Sequence, residues 1–219
     1  MVQQALFPDG SWESERVCQG IGRGSCVVVA GIDEAGRGAL AGPVSSACVI
    51  FNPPVTHYKH LGINDSKMLS PRKREKLYSS ILENAKLVSV GWASVQEINF
   101  LNIRSATLLA MRRAVEGVIK NLPHDSLPLL AIDGQDLIPG IPLSQEAVVG
   151  GDRMVLSIAA ASIVAKVSRD RLMEEIDREY PVYRFREHKG YGTLVHRESI
   201  RAFGLTPYHR LLFCRKLRD

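Results

Sequence analysis

An apolar, β-branched run that ends in two acids and a glycine-rich turn is the stretch that most restricts how this chain can fold. Residues 27–30 favour a buried strand, and Asp33 and Glu34 follow shortly before Gly36-Arg37-Gly38. Successive strand side chains point to opposite faces, so both carboxylates reach one place only if the backbone turns at once, which glycines permit. The commonplace alternative is a strand that ends in an acidic loop. Here, however, Arg37 lies between two glycines, where an anion can approach the backbone closely. The stretch therefore indicates a metal-binding acid pair beside an anion-binding loop.

The composition is that of a globular protein with a net positive charge. The 219 residues, 45% of them hydrophobic, are enough to bury one core. We treat residues 1–25 as a polar lead-in with no assigned function and residues 26–219 as one folded domain. The net charge of +5 permits a polyanionic partner without requiring one.

The cysteines and the N-terminus favour an intracellular protein. Cys18, Cys26, Cys48 and Cys214 show no Cys-x-x-Cys spacing and mostly adjoin apolar residues, which predicts buried thiols rather than a disulfide framework or a zinc site. The N-terminus lacks the basic start and apolar run of a signal peptide, and no apolar stretch approaches membrane-spanning length. We therefore expect a cytoplasmic monomer that does not associate with membranes.

Further strands and helices can be placed by their patterns. Residues 43–51 and 86–95 predict two more strands, and the short connection between the first two strands favours antiparallel pairing. Ser70-Pro71 predicts a helix start, and apolar residues recur at helical spacing from Ile103 onward. Together these elements predict a sheet with helices packed against it.

Two more acids occupy positions that suit metal binding. Asp133 follows the apolar residues 127–132, and Asp152 leads into an apolar, small-residue helix that begins at Leu156. Acids at the ends of neighbouring strands can converge on a hard divalent cation despite their separation in sequence. However, Asp-Gly turns are common, and Asp152 also stands where an N-cap residue would. Metal ligand and helix cap therefore both stay open for Asp152.

Taken together, the motifs resemble those of the ribonuclease HII family, in order, from about residue 28 to residue 213. They are Asp33-Glu34-Ala35-Gly36-Arg37-Gly38, Asp65-Ser66-Lys67, Asp133-Gly134, Gly151-Asp152, the helix from Ser157 to Arg171, and His188-Lys189-Gly190-Tyr191-Gly192. The resemblance implies a ribonuclease H-like α/β fold, a mixed β-sheet flanked by helices. It also implies that residues 26–219 are a catalytic domain whose helical C-terminal part helps to hold a duplex.

The resemblance further implies roles for individual residues. The carboxylates that would bind the catalytic metals are Asp33, Glu34, Asp133 and Asp152, with Asp170 as a further acid behind them. The residues that would sense the 2′-hydroxyl, the group that distinguishes RNA from DNA, are Gly36, Arg37, Gly38 and Tyr191. Tyr191 would pack its ring on the sugar, and the alternative for it is a turn packed on the core.

The activity implied by the resemblance is phosphodiester hydrolysis with two Mg²⁺ or Mn²⁺ ions held roughly 3.5–4 Å apart. The substrates would be RNA–DNA hybrids and duplex DNA that contains ribonucleotides, cut on the 5′ side of the ribonucleotide to leave 3′-hydroxyl and 5′-phosphate ends. Four acids gathered without a cation raise each other's pKa, which argues against a purely structural cluster.

Departures from the family pattern and two other interpretations limit the resemblance. Ala39, Gln135, Gly150 and Arg153 are unusual for the family, and the last two change the charge around Asp152 without removing a proposed ligand. A protein that binds nucleic acid without cutting it is one alternative, although acids repel phosphate unless metal intervenes. The related ribonuclease HIII is the other, and Arg37 and the short lead-in favour ribonuclease HII.

Overall fold

One mixed sheet of five strands organises the structure, a computed structural model that describes residues 12, 13, 28–64, 66–123 and 127–217. The strands are β1 (Val29–Ala35), β2 (Val44–Ile50), β3 (Leu87–Ala93), β4 (Leu129–Asp133) and β5 (Gln145–Val148). Their order across the sheet is β3-β2-β1-β4-β5. The predicted antiparallel pairing of β1 with β2 is confirmed, and β3 continues it. β4 pairs parallel to β1, and β5 parallel to β4.

The α-helices lie on both faces of the sheet, as expected. They are α1 (Pro71–Asn84), α2 (Val95–Leu101), α3 (Ile103–Ile119), α4 (Leu156–Glu179), α5 (Phe185–His188) and α6 (Leu194–Phe203). The predicted start of α1 is confirmed, because the Ser70 hydroxyl accepts the Lys73 N–H at 3.3 Å and Pro71 is the first helical residue. Short 3₁₀ turns occupy Val55–Leu61, Ser66–Met68, Gly151–Arg153, Pro181–Tyr183 and Arg215–Leu217.

Helix α4 is pressed directly onto β1. A Cβ atom built on Gly31 would lie 2.1 Å from the Ser157 carbonyl carbon, so only glycine leaves room for the helix backbone at this point. The small residues 159–161 are fully buried against the same face, in the apolar cluster that also takes in α1. The opposite face of the sheet is covered by α3, whose Met111 and Val115 pack on Ile32 and Ile132.

The second half of α4 supports the helical C-terminal part of the chain. Met173 and Ile176 pack there with Tyr183 and Phe185, whose rings stack with centroids 5.4 Å apart. This region places α5 and α6 next to the loop that follows β1, because Leu40 and Ala41 belong to the same apolar cluster. The predicted helical C-terminal part is therefore continuous with the sheet domain.

Two of the predicted buried thiols lie in the described part of the chain. Cys48 and Cys214 are buried, and burial raises the pKa of Cys48 to about 12. Cys18 and Cys26, most of the lead-in and Asp65 lie outside the described residues. Among the helices described, none combines the length and apolar character required to cross a membrane.

Candidate active site

The parallel pairing of β1 and β4 brings two of the predicted acids to one edge of the sheet. Ile32 lies opposite Ile132 in the register, so the next residues along both strands are Asp33 and Asp133. The strands run in the same direction, and their carboxyl ends therefore coincide. Glu34 follows on β1, paired with Ser46 of β2.

Asp33 is buried at the end of the sheet. The residue is only 5% exposed, and its Oδ1 accepts the Glu34 N–H at 2.6 Å. Burial, followed by the negative charges of Glu34 and Asp133, raises the pKa of Asp33 well above its usual range, while a hydrogen bond from the Ser162 hydroxyl opposes the rise. A carboxylate in these surroundings is destabilised until a cation offsets its charge.

Glu34 is held next to the arginine of the glycine-rich turn. The Arg37 Nη1 lies 3.6 Å from Glu34 Oε1, and 51% of the Arg37 side chain is exposed. Burial raises the pKa of Glu34, Arg37 acts in the opposite direction, and Asp133 raises it further. Arg37 therefore balances part of the acidic charge while its guanidinium stays accessible to an anion.

Asp133 and Asp152 are linked through the turn that precedes α4. Asp133 Oδ1 accepts the Gly151 N–H at 2.8 Å, and Asp152 follows in the 3₁₀ turn Gly151–Arg153. Asp152 is 5% exposed, and its Oδ2 lies 3.8 Å from Nζ of Lys67. The N-cap position of α4 belongs to Val155, so the interpretation of Asp152 as the helix cap is wrong.

The acids do not form a closed metal cage as they stand. Among the residues that the structure describes, no three His, Cys, Asp or Glu side chains are placed to hold a metal ion together. Three of the acids instead contact other groups of the protein. Glu34 is paired with Arg37, Asp133 accepts the Gly151 N–H, and Asp152 is paired with Lys67. The donor set, all carboxylate oxygen and with excess negative charge at Asp33, is nevertheless the kind that Mg²⁺ and Mn²⁺ prefer. The residues thus fit a divalent cation chemically, provided that side chains turn toward it.

Glu13, from the segment to which no function was assigned, contacts the same region. It is fully buried, and its carboxylate accepts the N–H groups of Ser157 at 2.8 Å and Leu156 at 3.3 Å. These residues open α4, where Val155 offers no side-chain acceptor at the N-cap. Glu13 therefore caps the helix that follows Asp152, and burial raises the pKa of Glu13. The sequence gives no local pattern for such a contact, because the partners are more than 140 residues apart.

The glycine-rich turn is shaped by a buried arginine. Gly36 has φ of +92°, and a Cβ there would lie 2.0 Å from Nε of Arg169. Around Gly38, by contrast, no atom lies within 4 Å of a built Cβ. The turn is thus packed on its inner side and open on its outer side, where a ligand backbone has room to approach.

Two arginines that the sequence analysis did not single out fix this turn against the loop that carries Tyr191. Both are fully buried. Arg169 donates to the carbonyls of Ala41, Pro43 and Lys189, and Arg210 donates to those of Arg37, Gly42 and Pro43. The Gly190 carbonyl closes the connection by accepting the N–H groups of Leu40 and Ala41 at 2.8 and 3.2 Å. Residues 36–43 and 189–191 are therefore bonded into one piece.

Tyr191 presents its ring at the surface of this piece. Tyr191 is 36% exposed. Nζ of Lys166 lies 5.5 Å and Cζ of Arg169 lies 5.6 Å from the centroid of its ring. Asp170 accepts from Lys166 at 2.6 Å and lines the groove next to Tyr191. Asp170 therefore lies on the side of α4 that faces Tyr191, and Lys166 contacts both residues.

Comparison with solved structures identifies the fold. The crystal structure of the ribonuclease H2 from Pyrococcus horikoshii OT3 superposes with a TM-score of 0.71 at 24% identity, covering 88% of this chain and 97% of that one. The structure of Bst-RNase HIII in complex with Mn²⁺ gives a TM-score of 0.71 at 20% identity, covering 87% of this chain and 69% of that one. The fold is thus that of the ribonuclease H-like nucleases.

The sequence narrows this class to one family. Residues 30–216 match the family model for ribonuclease HII. The ribonuclease HII of Coxiella burnetii (strain Dugway 5J108-111) is 48% identical over 189 residues, which cover 86% of this chain and 89% of the relative. The chain belongs to the ribonuclease HII family, so the resemblance drawn from the motifs is confirmed, and it is a nuclease rather than a passive binding protein.

Proposed function

We propose that this protein is a metal-dependent endonuclease that hydrolyses the RNA strand of RNA–DNA hybrids and cuts on the 5′ side of ribonucleotides embedded in duplex DNA. The observation that carries the proposal is Asp33, a buried carboxyl whose pKa is raised by burial and by Glu34 and Asp133. Such a group is costly for a purely structural role and useful as a ligand of a divalent cation. Family membership and the Mn²⁺ complex of Bst-RNase HIII support the same chemistry.

In this proposal Asp33, Glu34, Asp133 and Asp152 hold two divalent cations, Mg²⁺ or Mn²⁺. When bound, the cations would supply Lewis-acid activation of water and charge neutralisation at the phosphodiester. The protein's part is to present carboxylate oxygens from two adjacent strand ends and from the turn before α4. Arg37 has to leave Glu34 for this purpose, and its exposed guanidinium is then free to bind a phosphate of the substrate.

Selection of the ribonucleotide is assigned to the piece formed by the glycine-rich turn and Tyr191. The open side of Gly38 lets the backbone approach the sugar, where peptide groups can bond the 2′-hydroxyl. The exposed ring of Tyr191 would pack on the neighbouring sugar. Lys166, near that ring, would add positive charge toward the phosphates.

The test is cleavage of a DNA duplex that contains one ribonucleotide, with Mg²⁺ and with Mn²⁺, followed by mapping of both product ends. We expect a cut 5′ of the ribonucleotide that leaves 3′-hydroxyl and 5′-phosphate ends. An all-DNA duplex of the same sequence is the substrate control. Products with a 2′,3′-cyclic phosphate would show that the 2′-hydroxyl is the nucleophile and would refute the proposed mechanism.

Asp33→Asn and Asp133→Asn are the matched variants for the metal site. Both should retain the fold and duplex binding but lose most activity, since each removes a charged ligand oxygen while preserving shape. Near wild-type turnover at saturating Mg²⁺ in either variant would exclude that residue as a ligand. Asp152→Asn should behave alike, with little change in thermal stability.

A further inference from the structure

Three buried histidines lie beneath Tyr191 and have no part in the proposed chemistry. They are His188 at the end of α5, His196 in α6 and His209, exposed by 8%, 0% and 1%. The rings of His188 and His196 stack with centroids 4.4 Å apart, and Nε2 of His196 lies 3.1 Å from Nε2 of His209. Burial lowers the pKa of all three, so each ring is neutral near pH 7.

The partners of His188 fix its tautomer. Its Nε2 lies 2.8 Å from the Tyr183 carbonyl, which can only accept, so Nε2 carries the hydrogen. Its Nδ1 then accepts the Gly190 N–H at 3.2 Å. The His188 ring is therefore bonded to the Lys189–Gly190 peptide, and the Tyr191 N–H donates to the His188 backbone carbonyl at 2.9 Å.

The partners of His209 and His196 fix a direction for the second series of bonds. The Thr206 N–H donates to Nδ1 of His209 at 2.9 Å, so His209 carries its hydrogen on Nε2 and donates it to Nε2 of His196. His196 consequently has its hydrogen on Nδ1, which donates to the Tyr191 carbonyl at 3.0 Å. All donors point the same way, from Thr206 through both rings to Tyr191.

We infer that His196 and His209 are positioning residues for the substrate contact of Tyr191, an inference that rests on the role proposed above for that tyrosine. The peptide groups on both sides of the Tyr191 Cα are held, because the Tyr191 N–H donates to the His188 backbone carbonyl and the Tyr191 carbonyl accepts from His196. The ring itself stays exposed, so the histidines fix where it stands relative to the glycine-rich turn without touching the substrate. His209 acts one step further away, by holding His196 in the tautomer that donates to Tyr191.

The experiment uses two substitutions of one histidine. In His196→Asn the side-chain amide nitrogen replaces Nδ1 and retains a donor for the Tyr191 carbonyl, whereas His196→Leu keeps the bulk and loses the donor. We would measure kcat/KM on the single-ribonucleotide duplex for both, for Tyr191→Ala, and for the double variant with His196→Leu. His209→Leu, which removes the donor to Nε2 of His196, provides a second variant if His196→Leu does not fold, and we expect it to reduce kcat/KM as well.

We expect His196→Leu to reduce kcat/KM on the order of ten-fold, within the ten- to hundred-fold range expected for loss of the Tyr191 ring. His196→Asn should recover most of the loss, and His196→Leu should have no further effect once Tyr191 is alanine. Additive losses in the double variant, or no recovery with asparagine, would overturn the inference.

Hydrogen exchange separates this inference from the proposed function. We expect His196→Leu to speed exchange of the amides in residues 189–193 while those of β1 and β4 stay protected, and His196→Asn to leave both unchanged. Unchanged exchange in His196→Leu would refute positioning whatever the kinetics show. Altered exchange together with full activity of Tyr191→Ala would instead refute the sugar contact proposed for Tyr191.

Discussion

Replacing Gly31 with alanine puts a methyl group where α4 already touches β1. The new Cβ would lie 2.1 Å from the Ser157 carbonyl carbon and 2.3 Å from the Ile158 nitrogen, whereas ordinary contact begins at 3.4 Å. The helix backbone must therefore retreat by roughly 1.3 Å, the difference between the shortest distance and that limit. Overpacking of this kind costs about 1–3 kcal/mol, reduced by about 0.4–1 kcal/mol because alanine restricts the unfolded chain.

We expect Gly31→Ala to lower Tm by several degrees, up to about 10 °C, since the net cost reaches about 2.6 kcal/mol and 1 kcal/mol corresponds to about 2–4 °C for a chain of this size. Calorimetry gives Tm, and Mg²⁺ titration of the folded variant gives the metal affinity. The affinity should fall as well, because α4 and its preceding turn carry Asp152 while β1 carries Asp33. Gly38→Ala is the stability control, because a Cβ there meets no atom within 4 Å.

A Tm of Gly31→Ala within about 1 °C of the unaltered protein would contradict the direct contact between α4 and β1. A loss of stability with unchanged Mg²⁺ affinity would confirm the contact but refute the claim that this packing sets the distance between Asp33 and Asp152.

Three other predictions follow from single features of the structure. Glu13→Leu removes the acceptor for two buried N–H groups of α4, and we expect a loss of about 0.5–2 kcal/mol in urea unfolding, with Glu13→Gln losing less. Gly38→Ala should retain its Tm but cleave the single-ribonucleotide duplex more slowly, since the methyl group faces the substrate side, and equal rates would contradict a close backbone approach there. Burial lowers the pKa of His196 and His209 from 6.5 to about 4, so the unfolded chain binds more protons between these values. The contribution of these two histidines to the free energy of unfolding should be fully developed above pH 6.5 and fall toward pH 4, and the difference in unfolding free energy between the unaltered protein and His209→Gln, measured across this range, reports it.

The parts of the site that follow a strand were predictable from the sequence. Asp33 and Asp133 each end an apolar run, and the parallel pairing of these runs is enough to place them side by side. The start of α1 at Ser70-Pro71 was predictable for the same reason, because a cap and a first-turn proline are local signals.

The parts that depend on tertiary contacts were not predictable. Asp152 had two interpretations from its position in the sequence, and only the observed helix start at Leu156 decides against the cap. The side chains of Glu13, Arg169 and Arg210 bond to backbone groups far away in the sequence. Every residue type carries a backbone carbonyl and nearly every type an N–H, so the sequence does not show which of them will be bonded. The buried arginines resembled ordinary members of a charged helix end and a basic tail.

The length of α4 has a consequence for how the protein tolerates insertions and deletions. Its first turn is fixed by Glu13 and β1, and thirteen residues later Arg169 has to meet three carbonyls. One residue inserted between these points would turn everything beyond it by about 100° and advance it by about 1.5 Å. Arg169 would then face away from its carbonyls. The register of α4 is therefore fixed between these two points, whereas exposed connections such as residues 52–54 are the places where a change of length is expected to be tolerated.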